Sequence, residues 1–366
     1  MKFVCDRAEM NDALQMIVGV VDPRHVKELL QSVRLQACKD ALIFCATDLE
    51  IGMRCTITDA EVKEPGEMIL PADRLAGIVR ESRDEKLSLD SENATCVING
   101  TDSLYHVLGD LSEEYPDIPE FPADGAIEVE GAVLREMLQK TVFAAAAEKM
   151  RYALNGLLLV TKENSPRLEM VATDGRRLAW IQRKANKKCS QNAEVIIPTK
   201  GALQLQHMVG ETEMVKLQLA ERHLFAMTAQ AELVAQLVDG KFPNYRDVIP
   251  KDMDKKFEIQ ASVFASAMRR AALLSDRDDD SRGVNMDLSP GKMILTSSAP
   301  DRGDAKVEVG IEYDDDPVAI ALNPDFVLDG LKALGESVVR VEIRDGNTPC
   351  LIKQGNDYVY LTMPIT

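Results

Sequence analysis

The residues in this chain most capable of chemistry are acids, cysteines and histidines, and their spacing builds no catalytic or metal centre. Asp276-Arg277-Asp278-Asp279-Asp280-Ser281 has the outline of a calcium loop, but the sixth position is not glycine and the twelfth is Asp287 rather than glutamate. A solvated acidic loop is the simpler reading. A metal-assisted hydrolase would have to be built on those same aspartates. Asp314-Asp315-Asp316, ahead of Pro317, reads as the tip of a hairpin. His25, His106, His207 and His223 have no acidic or cysteine partners at ligand spacing. Phosphate loops, H-E-x-x-H helices and G-x-S-x-G elbows are all missing. No catalytic residue, metal or cofactor is therefore expected.

One stretch stands out for recognition. In Val171-Ala172-Thr173-Asp174-Gly175-Arg176-Arg177-Leu178-Ala179-Trp180 an apolar run stops at Thr-Asp-Gly, two arginines follow, and a second apolar run begins. Asp-Gly supplies local side-chain hydrogen bonding and a positive φ, so the segment is a tight turn between two strands.

The elements that would hold this turn recur along the chain. At 366 residues, with 45% hydrophobic and 28% charged, the composition is that of a soluble globular protein with more than one domain. No apolar segment is long enough to span a membrane, and the first residues are not a signal peptide. Cys5, Cys38, Cys45, Cys55, Cys96, Cys189 and Cys350 are scattered and never form C-x-x-C, which suits reduced thiols and a cytoplasmic setting. The net charge of −17 argues against adhesion to nucleic acid along an open basic face.

From Phe3, Ile127 and Phe257 the chain begins the same pattern, a short alternating strand, a small or polar break, then helical spacing. Met10, Ala13 and Leu14 match Leu134, Met137 and Leu138, and again Phe264, Ala267 and Met268. Leu42–Thr47, Leu168–Thr173 and Met293–Ser298 follow as strands, then Met68–Arg80, Val195–Met208 and Ala319–Leu334 as strands running into second helices. The pattern gives an α+β fold of three repeats over 1–121, 127–250 and 256–366, each with two helices packed on mostly antiparallel strands. The alternative is chance alternation in three unrelated domains. The order, spacing and residue types agree against it.

Taken together, Thr47-Asp48-Leu49-Glu50, Arg151-Tyr152-Ala153-Leu154-Asn155-Gly156, Val171–Leu178, Val238-Asp239-Gly240-Lys241-Phe242-Pro243-Asn244-Tyr245, Arg282-Gly283-Val284 and Met363-Pro364 resemble the bacterial sliding clamp family, the beta subunits of DNA polymerase III, over essentially the whole chain. The resemblance implies a non-catalytic homodimer closed head to tail around double-stranded DNA, without sequence specificity, with helices lining the hole. A topological link would reconcile DNA retention with the acidic charge. A scaffold of the same fold that binds peptides without encircling DNA is the alternative.

Carried over by position, the family's peptide pocket comprises Arg151, Leu154, Thr173, Gly175, Arg176, Arg177, Leu178, Pro243, Val248, Leu361, Met363, Pro364 and Ile365. It would take Gln-Leu-x-Leu-Phe-type peptides of the polymerase III catalytic subunit, the clamp loader, and other polymerases and repair proteins. Apolar walls suit the Leu and Phe anchors, and arginines suit backbone or acidic groups. The resemblance places Arg24, Lys149, Arg80, Lys140, Lys200 and Arg269 towards DNA, where each is either a contact or an ordinary exposed helix charge. It places Tyr105 and Val107 against Leu273 and Leu274 at the dimer interface, where an isolated unit would use them as core. This sequence departs from the family pattern at Arg176 (commonly histidine), Asp247 (frequently basic) and Glu148 (commonly an amide), and it stops at Thr366, one residue short.

Overall fold

The computed structural model describes residues 1–110, 115–122, 125–146, 152–220, 222–275 and 283–365. The local signals form the elements expected of them. Alternation in Lys2–Asp6 buries Phe3 and Cys5, and Asp6 then caps the helix Arg7–Val18 by accepting from Ala8 N at 2.8 Å and Glu9 N at 3.1 Å. In the third repeat Asn323 caps Pro324–Leu334, proline fills the first turn, and Gly335 ends the helix at φ 59°. The nine matched helix positions, from Met10 to Met268, are all buried. Burial of each large member contributes about 1.5–3 kcal/mol. In the first and third repeats the two helices pack side by side, Arg7–Val18 on Ala72–Glu81 and Ala261–Ala271 on Pro324–Leu334.

The sheets do not respect the repeats. One eight-stranded sheet runs Ile127–Glu130, Met214–Ala220, His223–Met227, Ala231–Gln236, Ile51–Ile57, Ala41–Thr47, Ser32–Cys38, Gly66–Pro71. Half of it comes from the second repeat and half from the first. The same sheet is built again as Lys255–Gln260, Val338–Ile343, Cys350–Gln354, Tyr358–Thr362, Arg177–Lys184, Arg167–Thr173, Gly156–Thr161, Ala193–Pro198, now joining third to second. All these pairings are antiparallel.

Two half-sheets remain. Ala60–Glu64, Lys2–Asp6, Lys86–Glu92, Thr95–Asn99 and Leu104–Leu108 form one, and Gly303–Gly310, Lys292–Ala299, Val284–Ser289 and Val318–Leu322 form the other. The strands Gly303–Gly310 and Val318–Leu322 lie on opposite edges of the latter, so Asp314-Asp315-Asp316 belongs to a crossover and not to a hairpin tip. Tyr313, 2% exposed, anchors that crossover, and sequence spacing gave no sign of it. The acidic run Asp276–Asp280 lies outside the described residues.

Because the sheets are shared, the chain divides into two compact units that cut the middle repeat. One comprises Met1–Arg135, Ala185–Ser190 and Lys200–Leu237, the other Glu136–Lys184, Gln191–Thr199 and Val238–Thr366. The turn Thr173–Leu178 and the C-terminal strand both belong to the second. None of the seven cysteines forms a disulfide, and only Cys38 is exposed.

Candidate peptide site

The turn is built by its own side chains. Thr173 Oγ1 donates to Arg177 O at 2.6 Å and accepts from Gly175 N at 3.1 Å, while Asp174 Oδ1 accepts from Arg176 N at 2.9 Å and Arg177 N at 3.0 Å. Gly175 sits at φ 91°, a value that side-chain-bearing residues rarely adopt. Space is not the constraint, since a Cβ there would meet no atom within 4 Å.

Beyond the turn, Arg177–Lys184 pairs with Tyr358–Thr362, setting Leu178 opposite Leu361. Met363 N donates to Arg176 O at 2.8 Å, Ile365 N to Ala321 O at 2.9 Å, and Pro364 bridges to Leu322. The tail thus lies between the second-repeat turn and the third repeat. Leu178 and Leu361 are buried in one apolar cluster with Phe242 and Tyr245, and Leu154 is buried nearby in sequence from Gly156–Thr161. Around that floor Pro243 and Gly175 are exposed, Val248 is 46% and Met363 39% exposed, and Pro364 and Ile365 are half-buried. Arg151 lies outside the described residues.

Two charged groups hold this arrangement, and sequence reasoning missed the first of them. Glu169, 6% exposed, accepts from Trp180 Nε1 at 2.9 Å and Tyr245 Oη at 2.8 Å and pairs with Arg167 at 3.0 Å. Burial pushes its carboxyl up, but those hydrogen bonds and the Arg167 and Arg246 charges outweigh burial and hold it below the usual range. The bond to Tyr245 fixes the short helix Tyr245–Val248, which carries Val248 to the rim. Arg177 pairs with Asp174 at 3.0 Å and Asp329 at 2.6 Å and lies 4.7 Å over the Phe326 ring. It was expected to hold a partner's backbone or acidic group. Instead its guanidinium is committed to this chain's own carboxylates. Arg176, beside it, is exposed.

Family models described as the N-terminal, central and C-terminal domains of the DNA polymerase III beta subunit match residues 1–119, 128–244 and 246–366. The Beta sliding clamp of Pseudomonas putida is 30% identical over all of both chains. The chain belongs to the bacterial beta sliding clamp family. The Beta sliding clamp of Chlamydia muridarum is 28% identical, covering 100% of this chain and 99% of its own. A crystal structure of the Pseudomonas aeruginosa beta subunit matches with a TM-score of 0.90 at 30% identity, covering 100% and 99% of the two chains. A Thermotoga maritima beta subunit matches at 0.91 with 25% identity and the same coverage. The fold is the three-domain clamp fold, and the function is that of a DNA sliding clamp, a processivity factor.

Among the clamp's basic positions, Arg24, Arg80 and Arg269 are exposed, and Lys149 lies outside the described residues, as does Glu148. Lys200 donates to Val20 O at 2.9 Å and to Asp48, so its charge is already engaged. Lys140 corrects the expectation of a DNA-facing cation. It is 8% exposed, and its ammonium bonds Glu136 at 2.7 Å and Gln354 at 2.6 Å. The resemblance placed it towards DNA, whereas its ammonium is held by Gln354 at the end of the third-repeat strand Cys350–Gln354.

Glu136 also takes a bidentate pair from Arg183 at 2.6 and 2.7 Å. Arg183 first, and Lys140 after it, hold the Glu136 carboxyl at about 2, against an opposing effect of burial. A carboxylate depressed on folding contributes stability that is complete above its unfolded value of 4.5 and is lost as pH falls towards about 2. Acid melts of Glu136→Gln should accordingly show a shallower fall in Tm across that window than the parent chain. Equal slopes would contradict this role.

At the expected dimer surface Tyr105 and Leu274 are half-buried and Leu273 is 71% exposed. Val107 is a core residue, 5% exposed. The apolar side chains its strand presents to solvent are Leu104 at 58% and Leu108 at 67%. The alternation within Leu104–Leu108 turns them to the other face of the strand.

Proposed function

We propose that two copies close head to tail into a ring of six domains around duplex DNA. The observation that carries this reading is the pair of leftover half-sheets. The eight-stranded sheets each join the set containing a repeat's first strand to the hairpin set of the preceding repeat, through the pairs Ala231–Gln236 with Ile51–Ile57 and Tyr358–Thr362 with Arg177–Lys184. Leu104–Leu108 and Gly303–Gly310 are the corresponding edges, and among the described residues each is hydrogen-bonded to a strand on one side only. A second chain supplies the missing half to each. Closure of this kind also removes two edges that would otherwise be open to indiscriminate pairing. Repeats over 1–121, 127–250 and 256–366 make up the six domains.

In the ring, DNA is held by topology and not by adhesion, which suits a chain of net charge −17. Arg24, Arg80, Arg269 and Lys149 are the proposed backbone-facing cations, read without sequence preference. The groove at Leu178, Leu361, Val248 and Met363 takes Gln-Leu-x-Leu-Phe-type peptides from the polymerase III catalytic subunit, the clamp loader, and other polymerases and repair proteins. Its apolar floor and adaptable methionine support that assignment. The chain acts in the cytoplasm as a non-catalytic accessory subunit. No described helix is long and apolar enough to cross a membrane.

After loading, the clamp should stay on closed circular DNA in high salt and run off once the circle is cut. Equal, salt-sensitive loss from circular and linear DNA would overturn the ring, and a monomer that still binds peptide would point to a scaffold.

A further inference from the structure

The first repeat contains a second copy of the turn that borders the proposed peptide groove, and residues 115–121 pack beside it. Thr47 Oγ1 donates to Ile51 O at 2.8 Å and accepts from Leu49 N at 3.0 Å, and Asp48 Oδ1 accepts from Glu50 N at 3.0 Å and Ile51 N at 2.7 Å. This is the hydrogen-bond pattern of the Thr173 turn, bond for bond, with Leu49 at φ 78° where Gly175 stands. The register carries on. Gly52 lies opposite Val234 as Leu178 lies opposite Leu361. Tyr115 donates to Ser32 O at 3.1 Å and anchors the loop that follows, as Tyr245 does through Glu169.

Three residues beyond each tyrosine stands a branched aliphatic, Ile118 or Val248, and here the copies part. Val248 is 46% exposed at the rim. Ile118 is 8% exposed and packs with Cys45, Phe225 and Val234. A Cβ on Gly52 would lie 2.6 Å from Ile118 Cγ2, so Ile118 takes the space that a leucine there would fill. Arg54 holds the segment down by donating to Pro119 O at 3.0 Å and to Ile118 O, and Phe121 packs edge-on against Phe225 at 6.4 Å.

We infer that residues 115–121 are a built-in ligand, closing the first-repeat groove by setting Ile118 and Phe121 where the apolar anchors of an extended partner peptide would sit. Gly52 is the residue that admits the segment. Leu178, its counterpart, fills the floor of the second-repeat groove and leaves that one open, so each chain presents one peptide site. The inference rests on the reading of the Leu178 groove as a peptide site.

The full-length chain carrying Gly52→Leu alone should be cut by a glutamate-specific endoproteinase after Glu120 about tenfold faster, because the displaced segment loses its packing. Ile118→Ala/Phe121→Ala, with and without Gly52→Leu, should raise the calorimetric stoichiometry for a Gln-Leu-x-Leu-Phe peptide from one to two per chain. Unchanged cleavage, or a stoichiometry of one in variants that still melt cooperatively, would overturn the inference. Cleavage is read without peptide. A parent chain that binds none would therefore count against the Leu178 groove and leave the closed first groove standing.

Discussion

Leu273→Asp is expected to give a folded chain that runs at 40.4 kDa where the parent runs at twice that mass. Leu273 is 71% exposed in the single chain, on the short turn Ala272–Leu274 that follows the helix Ala261–Ala271. An aspartate there remains hydrated in the monomer, so folding loses little. In the ring the same carboxylate would be buried without a partner, at a cost of about 3–5 kcal/mol. Each 1.4 kcal/mol is about a factor of ten, so each of the ring's two interfaces should weaken on the order of a hundred- to several-thousandfold. Val107 offers no such test. It is 5% exposed, and a charge there would attack the core before it reached any interface. Sedimentation at micromolar concentration separates the outcomes, and an unshifted dimer would remove Leu273 from the interface.

Met363→Ala should lower affinity for a Gln-Leu-x-Leu-Phe peptide by about 1–3 kcal/mol while leaving Tm where it was. The side chain is 39% exposed at the groove, and its backbone is pinned independently by the 2.8 Å bond to Arg176 O, so truncation removes a contact surface without releasing the tail. Leu178→Ala should lose peptide affinity and stability together. At 2% exposure inside the apolar cluster it is floor and core at once, and its truncation is expected to cost about 2–5 kcal/mol of folding free energy. The pair separates recognition from architecture. Trp180, the single tryptophan, follows Leu178 by two residues and donates its indole N–H to Glu169, which gives a fluorescence readout of both titrations. Unchanged affinity in both variants would place the peptide elsewhere.

The contrast between the two turns shows how far local sequence reaches. Thr-Asp followed by a positive-φ residue specifies the same hydrogen bonds at Thr47 and Thr173, because every donor and acceptor lies within four residues. What surrounds the turns was not legible in that way. The partner of Leu178 is Leu361, brought there by a sheet shared between repeats, and the occupant of the space beside Gly52 is Ile118. The resemblance assigned Arg177 to partner groups and Lys140 to DNA, because a position in a family pattern does not say which carboxylate of its own chain a side chain meets. Asp329 and Glu136 settle that.

By itself the sequence determined the three repeats, their helix faces, the turn chemistry and the family, since periodicity, caps and short motifs are properties of neighbouring residues. Only the tertiary structure decided that the sheets cross repeat boundaries, that the tail from Met363 to Ile365 lies against the turn, and that Ile118 is packed away while its counterpart Val248 stays exposed. The reason is that each depends on which distant segments exchange hydrogen bonds and exclude water together. A glycine and a leucine at matched positions differ by one side chain locally, yet they decide whether a loop drops into a groove or stands at its edge.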